Sequence, residues 1–479
     1  MRVKITFIKK IFEKLKAALN WDGREKAAWV LCHDSKADGG LKLIPYEVIV
    51  PDESDYVSRS AGHYELKKEF ITKGMGRAVA EQAHIIQCHI HPKGILRFSA
   101  VDDHHELMLM QHLNEKIEGM HHASIVFSNS GEELDSWIYD AQNDRLSPVE
   151  KVVVVGKDKL DVHIPTGAES EGSKAGEDLD RTVMALGAPT VEKLGRLDFG
   201  VIGASGLGGT MIDFLARDRI RSISICDKDT IDESNLNRMP WATATDIGRK
   251  KTEFNAEVVR KISPGTRVST FTDSFYEPNV QTAFSQVDLI FGCLDSGARL
   301  SVNRLACANL VPYFDLGAGF EVIDGKPTFI GGQVFSVIPS SSICLSCSGA
   351  FDMFRADYIP EKDRQREIRQ GYVQGNNGTV PLIMSLDSVI AGLGYRHMLK
   401  YIAGDGVPFR IHYNDLESRV FASECQDDGC MTCSVDGFVG KGDKVPLMVP
   451  RKKSVTPPAS KHKNKDMKGG QFWRMQGRK

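Results

Sequence analysis

Apolar and polar positions change period several times along this chain, and each change predicts an element. From Ile5 to Leu19, Phe7, Ile8, Ile11, Phe12 and Leu15 recur among lysines, the spacing of an amphipathic helix. Such a stripe ordinarily packs on its own domain; a membrane surface is the alternative. His84 to His91 reads as a strand, with Ile85, Gln87, His89 and His91 on one face. Ser99-Ala-Val-Asp102 then opens a helical segment, His104 to Leu113. Ser99 is placed to cap it, and Asp102 lies in its first turn, facing back toward the strand. Farther on, an apolar run from Asp198 ends in Gly203-Ala-Ser-Gly206-Leu-Gly208-Gly209, and a helical segment follows. The next strand, Ser222 to Cys226, ends at Asp227, and a buried strand, Val287 to Cys293, precedes Asp295. Strands alternating with helices predict an α/β fold.

Composition divides the chain. Thr166 to Asp178 is small, polar and acidic, as linkers are. A second break begins near Gly437. From Arg451 to Lys479 there are ten Lys or Arg and one acidic residue, a pattern that reads as a disordered tail. The expected organisation is a first domain at 1–165, a linker at 166–178, a second domain at 179–435 and a basic tail at 436–479. Across the chain 61 basic residues meet 63 acidic ones, so no global charge argues for nucleic acid. No apolar run reaches the eighteen or so residues of a membrane span, and the N-terminus lacks a signal-peptide core, so a cytoplasmic protein is expected. Ten cysteines in such a chain suggest metal or thiol chemistry, not disulfides.

His89-Ile-His91-Pro92, six further residues, Ser99 and then Asp102 bring three metal ligands and a hydroxyl together. A lone His-x-His is ordinarily surface or core histidine, and Ser-x-x-Asp is ordinarily a helix cap. Their combination is far more specific. Two His and one Asp leave a tetrahedral zinc one open position. The pattern resembles the JAMM (JAB/MPN) metallopeptidase family, which adds an upstream glutamate before an apolar strand. Glu25-Lys-Ala-Ala28-Trp-Val-Leu matches that arrangement; Glu47 and Glu53 fit it less well. The resemblance implies a cytidine-deaminase-like α/β domain in which His89, His91 and Asp102 hold a catalytic zinc. Glu25 is then the general base, and Ser99 donates to the tetrahedral oxyanion. The bond cut lies after the C-terminus of a ubiquitin-like protein.

In the second domain a strand, a glycine-rich turn, a helix and a strand ending in an acid form a nucleotide-binding pattern. The glycines at 203, 206 and 208 let backbone N–H groups approach phosphate, and Asp227 is placed for a ribose hydroxyl. Alone this suggests a dehydrogenase. The continuation, Asp227-Lys-Asp229 through Asn235 and Arg238, then Gly248-Arg-Lys-Lys251 and Cys-Leu-Asp295-Ser, resembles the Rossmann-like ThiF/MoeB adenylation family instead. That family includes the adenylation domains of ubiquitin-activating enzymes. The resemblance implies ATP and Mg²⁺, with Arg238, Lys251 and Arg181 neutralising phosphate charge. Asn235 adds a nucleotide contact and Asp295 binds Mg²⁺. Arg181 implies a homodimer, because the family's arginine reaches into its partner's site. Ser205 departs from the glycine common there.

Cys344-x2-Cys347 and Cys430-x2-Cys433 suit a closed structural zinc site, with Cys425 as a less suitable substitute. Enzymes of this family that form a thioester carry a cysteine in a crossover loop. The corresponding stretch here, Gln370 to Pro381, has none. Adenylation without a thioester on that loop is therefore expected. The combined resemblance is to bacterial ubiquitin-like conjugation systems, some associated with phage defence. It implies a ubiquitin-like partner with a glycine-ended tail and a conjugating enzyme. Activation of a sulfur carrier for thiocarboxylate chemistry is the alternative. An inactive scaffold that binds a ubiquitin-like protein is a third.

Overall fold

The computed structural model describes residues 1–92, 100–168, 177–294, 298–323, 326–339, 343–348, 382–423 and 429–448, with backbone alone at 100–103, 321–323, 326 and 423. Among these, the first sheet contains β1 (Arg2–Ile8), β2 (Ala27–Ala37), β3 (Gly40–Ile49), β6 (His84–Ile90), β7 (Ala123–Phe127), β8 (Leu134–Asp140), β9 (Arg145–Pro148), β10 (Lys151–Val155) and β11 (Leu160–His163). Their order is β11-β10-β1-β3-β2-β6-β7-β8-β9, and β4 (Tyr56–Ser60) and β5 (His63–Leu66) form a separate hairpin. Alternation decides what covers each face. Ala28, Val30, Ile86 and Ile90 pack under Phe12, Leu15 and Leu19, carried by or just beyond α1 (Lys9–Ala18). Trp29, Leu31 and Ile85 pack under Phe70 and Ala78 of α2 (Lys68–Glu81) and under Met110 and Leu113 of α3 (Ala100–Lys116).

The N-terminal stretch is not one helix. Residues 2–8 are a strand between β10 and β3, and the helix begins at Lys9. Val3, Ile5 and Phe7 are core residues at period two. Lys4, on the opposite face of the strand, is buried because the second domain supplies its counter-charges.

The second sheet runs β14-β13-β12-β15-β16-β17-β18-β19. β12 (Asp198–Ile202) pairs in parallel with β13 (Ser222–Cys226) and β15 (Leu289–Gly292). β14 (Arg267–Phe271) and β16 (Tyr313–Ile323) extend the parallel set, and β17 (Lys326–Val337), β18 (Arg410–Asn414) and β19 (Arg419–Ser423) return antiparallel. Around this sheet lie α4 (Asp180–Leu186), α5 (Ala188–Leu194), α6 (Gly206–Arg217), α7 (Lys251–Ile262), α8 (Pro278–Ser285), α9 (Ala298–Ala308) and α10 (Met384–Ala403). No helix among the described residues is long and apolar enough to cross a membrane.

A charged seam joins the two sheets. Lys4 in β1 donates to Asp198, and to Asp288 at 3.4 Å. Lys151, the first residue of β10, donates to Asp198 at 3.0 Å and also to Asp288. Glu150 pairs with Arg221. Burial alone would raise the Asp198 and Asp288 carboxyls; the Lys151 and Lys4 ammoniums outweigh it and hold both below the usual carboxylate range. Lys42 beside them donates to the carbonyls of Ser285 and Val287, and burial pushes its ammonium down to about 7. Apolar packing continues across the seam: Ile8, Ile44, Val153 and Leu160 share one core with Leu194, Leu197 and Tyr401.

The expected tail is partly folded. Val439 and Val445 are buried. Asp443 accepts from the Lys36 backbone N–H at 2.8 Å, and Met448 donates its N–H to Gln281 at 3.0 Å. Residues 436–448 therefore bind the first sheet to α8 and are not a solvated extension. Their valines read as tail because turn residues surround them. Residues 451–479 and most of the expected linker, 169–176, lie outside the described residues.

Removing one member of the seam leaves its partner charged and buried. Asp288→Ala should destabilise the chain by about 3–5 kcal/mol in denaturant unfolding. A Lys151→Met, Asp288→Leu double variant should recover most of that loss.

Candidate functional site

At the end of β6 the register brings the predicted site residues together. Ala27 of β2 stands opposite His89, and the Ile90 N–H donates to the Lys26 carbonyl at 3.1 Å. Continued by alternation, this register would put Glu25 across from His91 on the face that carries His89, and the Glu25 N–H donates to the Ser60 carbonyl at 2.7 Å. Glu25, His89 and His91 are all nearly fully buried. The two imidazoles converge, with His89 Nε2 at 2.9 Å from His91 Nε2. Two nitrogens on one tetrahedral zinc, each about 2.05 Å from it, are held about 3.3 Å apart, so the pair is close to ligand spacing. The β4–β5 hairpin lies over this end. Tyr64 is 5.5 Å from His89 by ring centroids, and its hydroxyl accepts from Gln87 at 2.6 Å. Asp102 falls in the first turn of α3, where expected, but its side chain lies outside the described residues, as does Ser99. The rival carboxylates are engaged elsewhere: Glu47 chelates Arg77 at 2.8 Å, and Glu53 pairs with Arg59 at 2.6 Å.

In the second sheet the glycine turn follows β12. Gly203 has φ +90°, and a Cβ there would meet the Cys293 carbonyl at 2.4 Å. A Cβ on Gly208 would stand 1.7 Å from the Gly203 carbonyl. Both positions exclude a side chain, so the turn from β12 into α6 is closed by backbone packing. Asp227 braces the turn, accepting from the N–H of Ala204 at 2.8 Å and of Asp229 at 2.9 Å. Burial holds its carboxyl above the ordinary value, while the Lys251 ammonium pulls it down. Lys251 is buried and lies 3.6 Å from Asp229. Arg238 runs past Gly206, its guanidinium donating to the Ser234 carbonyl and to Asn237. Asn235 is buried and uses its side-chain oxygen to accept from the Asp232 N–H at 3.2 Å, a capping role. Ser205 fits at the N-cap of α6, its hydroxyl buried without a hydrogen bond among the described residues. Arg181 is exposed in the first turn of α4. Asp295, Cys425 and the 370–381 loop lie outside the described residues.

The two cysteine pairs meet. Cys344 Sγ lies 3.8 Å from Cys430 Sγ, and Cys347 Sγ lies 3.7 Å from Cys433 Sγ. Four sulfurs about 2.3 Å from a tetrahedral zinc are separated by about 3.8 Å, so the cluster fits that ion. Among the described residues it is the one group of three or more such ligands with donor atoms all within 4.8 Å.

The ThiF family model matches residues 179–432, more than half of the chain. The chain belongs to the ThiF family. The chain is similar to part of the NEDD8-activating enzyme E1 catalytic subunit of Schizosaccharomyces pombe, 30% identical over 148 residues that cover 31% of this chain and 32% of that protein. Ubiquitin-like modifier-activating enzyme 5 of Drosophila virilis is 26% identical over 230 residues, covering 45% of this chain and 53% of that protein. An adenylyltransferase and sulfurtransferase of Meyerozyma guilliermondii is 27% identical over 147 residues, covering 31% and 33%. The chain thus spans about a third to a half of the length of these curated relatives. Among solved structures, E. coli MccB with ATP has a TM-score of 0.44 at 18% identity, covering 54% of this chain and 75% of that one.

One residue at the ThiF glycine turn escapes sequence reasoning. Asp387, in the first turn of α10, is 1% exposed. Its Oδ2 sits where a Gly206 Cβ would be, only 2.0 Å from that position, and its Oδ1 has no hydrogen bond among the described residues. Burial pushes its carboxyl up to about 6, against the pull of Arg238. The available signal was a lone acid in the apolar run from Leu382 to Leu393.

Asp387 sets a pH dependence. Its folded-state pKa exceeds the unfolded one, so its cost to stability is absent below about pH 4 and fully present above about pH 6. Asp387→Asn should raise unfolding stability by about 2 kcal/mol at pH 7.5 and leave it unchanged near pH 4. Denaturant midpoints at the two pH values check this.

Proposed function

We propose that the ThiF domain adenylates the C-terminal carboxylate of a small ubiquitin-like protein, and that the first domain is a zinc metallopeptidase acting on the same protein's tail. The observation that carries the reading is the pairing, in one chain, of a braced glycine turn flanked by Arg238 and Lys251 with a buried Glu25, His89 and His91 set. In the first reaction a tail carboxylate oxygen attacks the α-phosphorus of ATP. The bond to the bridging oxygen breaks, and pyrophosphate leaves with the electron pair. Nucleophile and phosphate are both anionic, so cations govern the barrier. Arg238 and Lys251 neutralise the phosphates, backbone N–H groups of the glycine turn donate to phosphate oxygens, and Asp227 accepts from the ribose. Magnesium, with Asp295 as its ligand, would add charge neutralisation. Arg181, exposed on α4, would serve the site of a second copy.

In the first domain His89, His91 and Asp102 would hold zinc. Bound zinc supplies a Lewis acid and a water acidified to a pKa of roughly 7. Glu25, across from His91, takes the proton of the attacking water and returns it to the leaving amine. Ser99 donates to the oxyanion. Cutting before activation frees the carboxylate that the ThiF domain uses; cutting afterwards removes the modifier from targets. The name of the Meyerozyma relative favours a second reading, sulfur-carrier activation, in which the product is a thiocarboxylate.

Candidate carriers, with and without C-terminal extensions, test both domains in the full chain. Lys251→Ala should reduce ATP–pyrophosphate exchange by about 10²–10³-fold and leave tail cleavage intact. Glu25→Ala should abolish cleavage and leave exchange with a mature carrier intact. Equal exchange by Glu25→Ala and wild type on an extended carrier would remove precursor trimming from the scheme.

A further inference from the structure

Glu106 lies on α3, one helical turn beyond Asp102, so the two residues share a helix face. It is 4% exposed, and the other buried positions among the described side chains of this helix are apolar, Met110 and Leu113. Its Oε1 is 3.6 Å from His89 Nδ1, within ion-pair range and just beyond direct hydrogen-bond length. The opposite nitrogen of the same ring is the one that meets His91. The two edges of the His89 imidazole therefore face different chemistry, a carboxylate on Nδ1 and the second histidine on Nε2.

We propose that Glu106 is the positioning residue that orients His89 for metal binding. This rests on reading Glu25, His89, His91 and Asp102 as a metallopeptidase centre. An imidazole binds a metal through a nitrogen lone pair, and the proton must then sit on the other nitrogen. A carboxylate at Nδ1 selects that tautomer and leaves the Nε2 lone pair directed at the ion. It also makes the ring a stronger donor, and loss of such a partner ordinarily weakens metal affinity by about 10–100-fold. Glu106 and Asp102, four residues apart, would let one helix supply a ligand and the partner of another ligand. A shift of α3 would then disturb both together.

Zinc binding by the full chain, measured by chelator competition, tests this without relying on peptidase turnover. Wild type should hold two zinc ions, and a His89→Ala, His91→Ala variant one, retained by the cysteine cluster. Glu106→Leu keeps the buried volume without the acceptor and should bind the second zinc about 10–100-fold more weakly. Glu106→Gln, whose amide oxygen still accepts, should lose only several-fold. Cobalt in the second site should show a shifted visible spectrum in Glu106→Leu. ATP–pyrophosphate exchange should stay unchanged in both variants, which separates positioning from misfolding. Should Glu106→Leu lose exchange as well, Glu106→Gln decides, and wild-type affinity there overturns the proposal. Complete loss of the second zinc in Glu106→Gln would make Glu106 a ligand and equally overturn it. Two zinc ions in wild type with unaltered affinity in Glu106→Leu would sink Glu106 alone. A single zinc in wild type would sink the metallopeptidase reading and Glu106 with it.

Discussion

The buried charges at the seam constrain everything else in the molecule. Lys4 and Lys151 come from two adjacent strands of the first sheet; Asp198 begins the central strand of the second, and Asp288 directly precedes its neighbour. Ion pairs at this depth add little net stability, because desolvation offsets most of the attraction. Their effect is on specificity. Two ammoniums and two carboxylates interlocked across a junction satisfy one another in a single register, and a slip would leave charges buried without partners. The apolar packing around them, from Ile8 and Val153 to Leu197 and Tyr401, supplies the affinity that the charges then orient.

At the other end of β12 a second constraint operates, in backbone instead of charge. Gly203 and Gly208 approach neighbouring backbone too closely for any side chain, and Asp227 holds the turn through two N–H groups. Asp387 stands against this arrangement. A buried carboxylate beside Gly206 costs stability above about pH 6, in a position where an apolar residue would pack without penalty. Destabilising polar groups of this kind concentrate where a site needs them. The same logic applies to Glu106 in the first domain, a glutamate buried on a helix face that continues into Met110 and Leu113.

Sequence periodicity revealed what depends on neighbours in the chain and missed what depends on distant ones. The β6 strand, the Asp102 helix, the glycine turn and the cysteine quartet were all legible, because spacing alone puts their residues on one face or around one point. The N-terminal strand was not, because Lys4 looks solvated until Asp198, 194 residues away, is known to face it. Residues 436–448 read as tail because their two buried valines show no period; their place depends on β2 and α8. Asp387 was visible as a single acid in an apolar run, and Glu106 only as one more polar residue after Asp102, Asp103, His104 and His105. Their partners, Gly206 and His89, come from other elements, and no local pattern connects them.

The polar segment from Thr166 to Asp178 marks a break in composition, and both of its ends are tied to the folded domains. At its start Thr166 donates its N–H to Asp135 at 2.9 Å; at its end Asp178 pairs with Arg219 at 2.5 Å. The chain on either side is anchored, and the sheets it connects already share a core. A flexible linker would give the two proposed centres an effective concentration set by its length. A rigid seam gives them one relative geometry. Cleavage and activation of a common tail, as proposed, would then be matched by how far that tail reaches, and a longer or shorter tail would change the coupling. Under the proposed function, the charges that orient the seam would thereby also set which carriers both centres could serve.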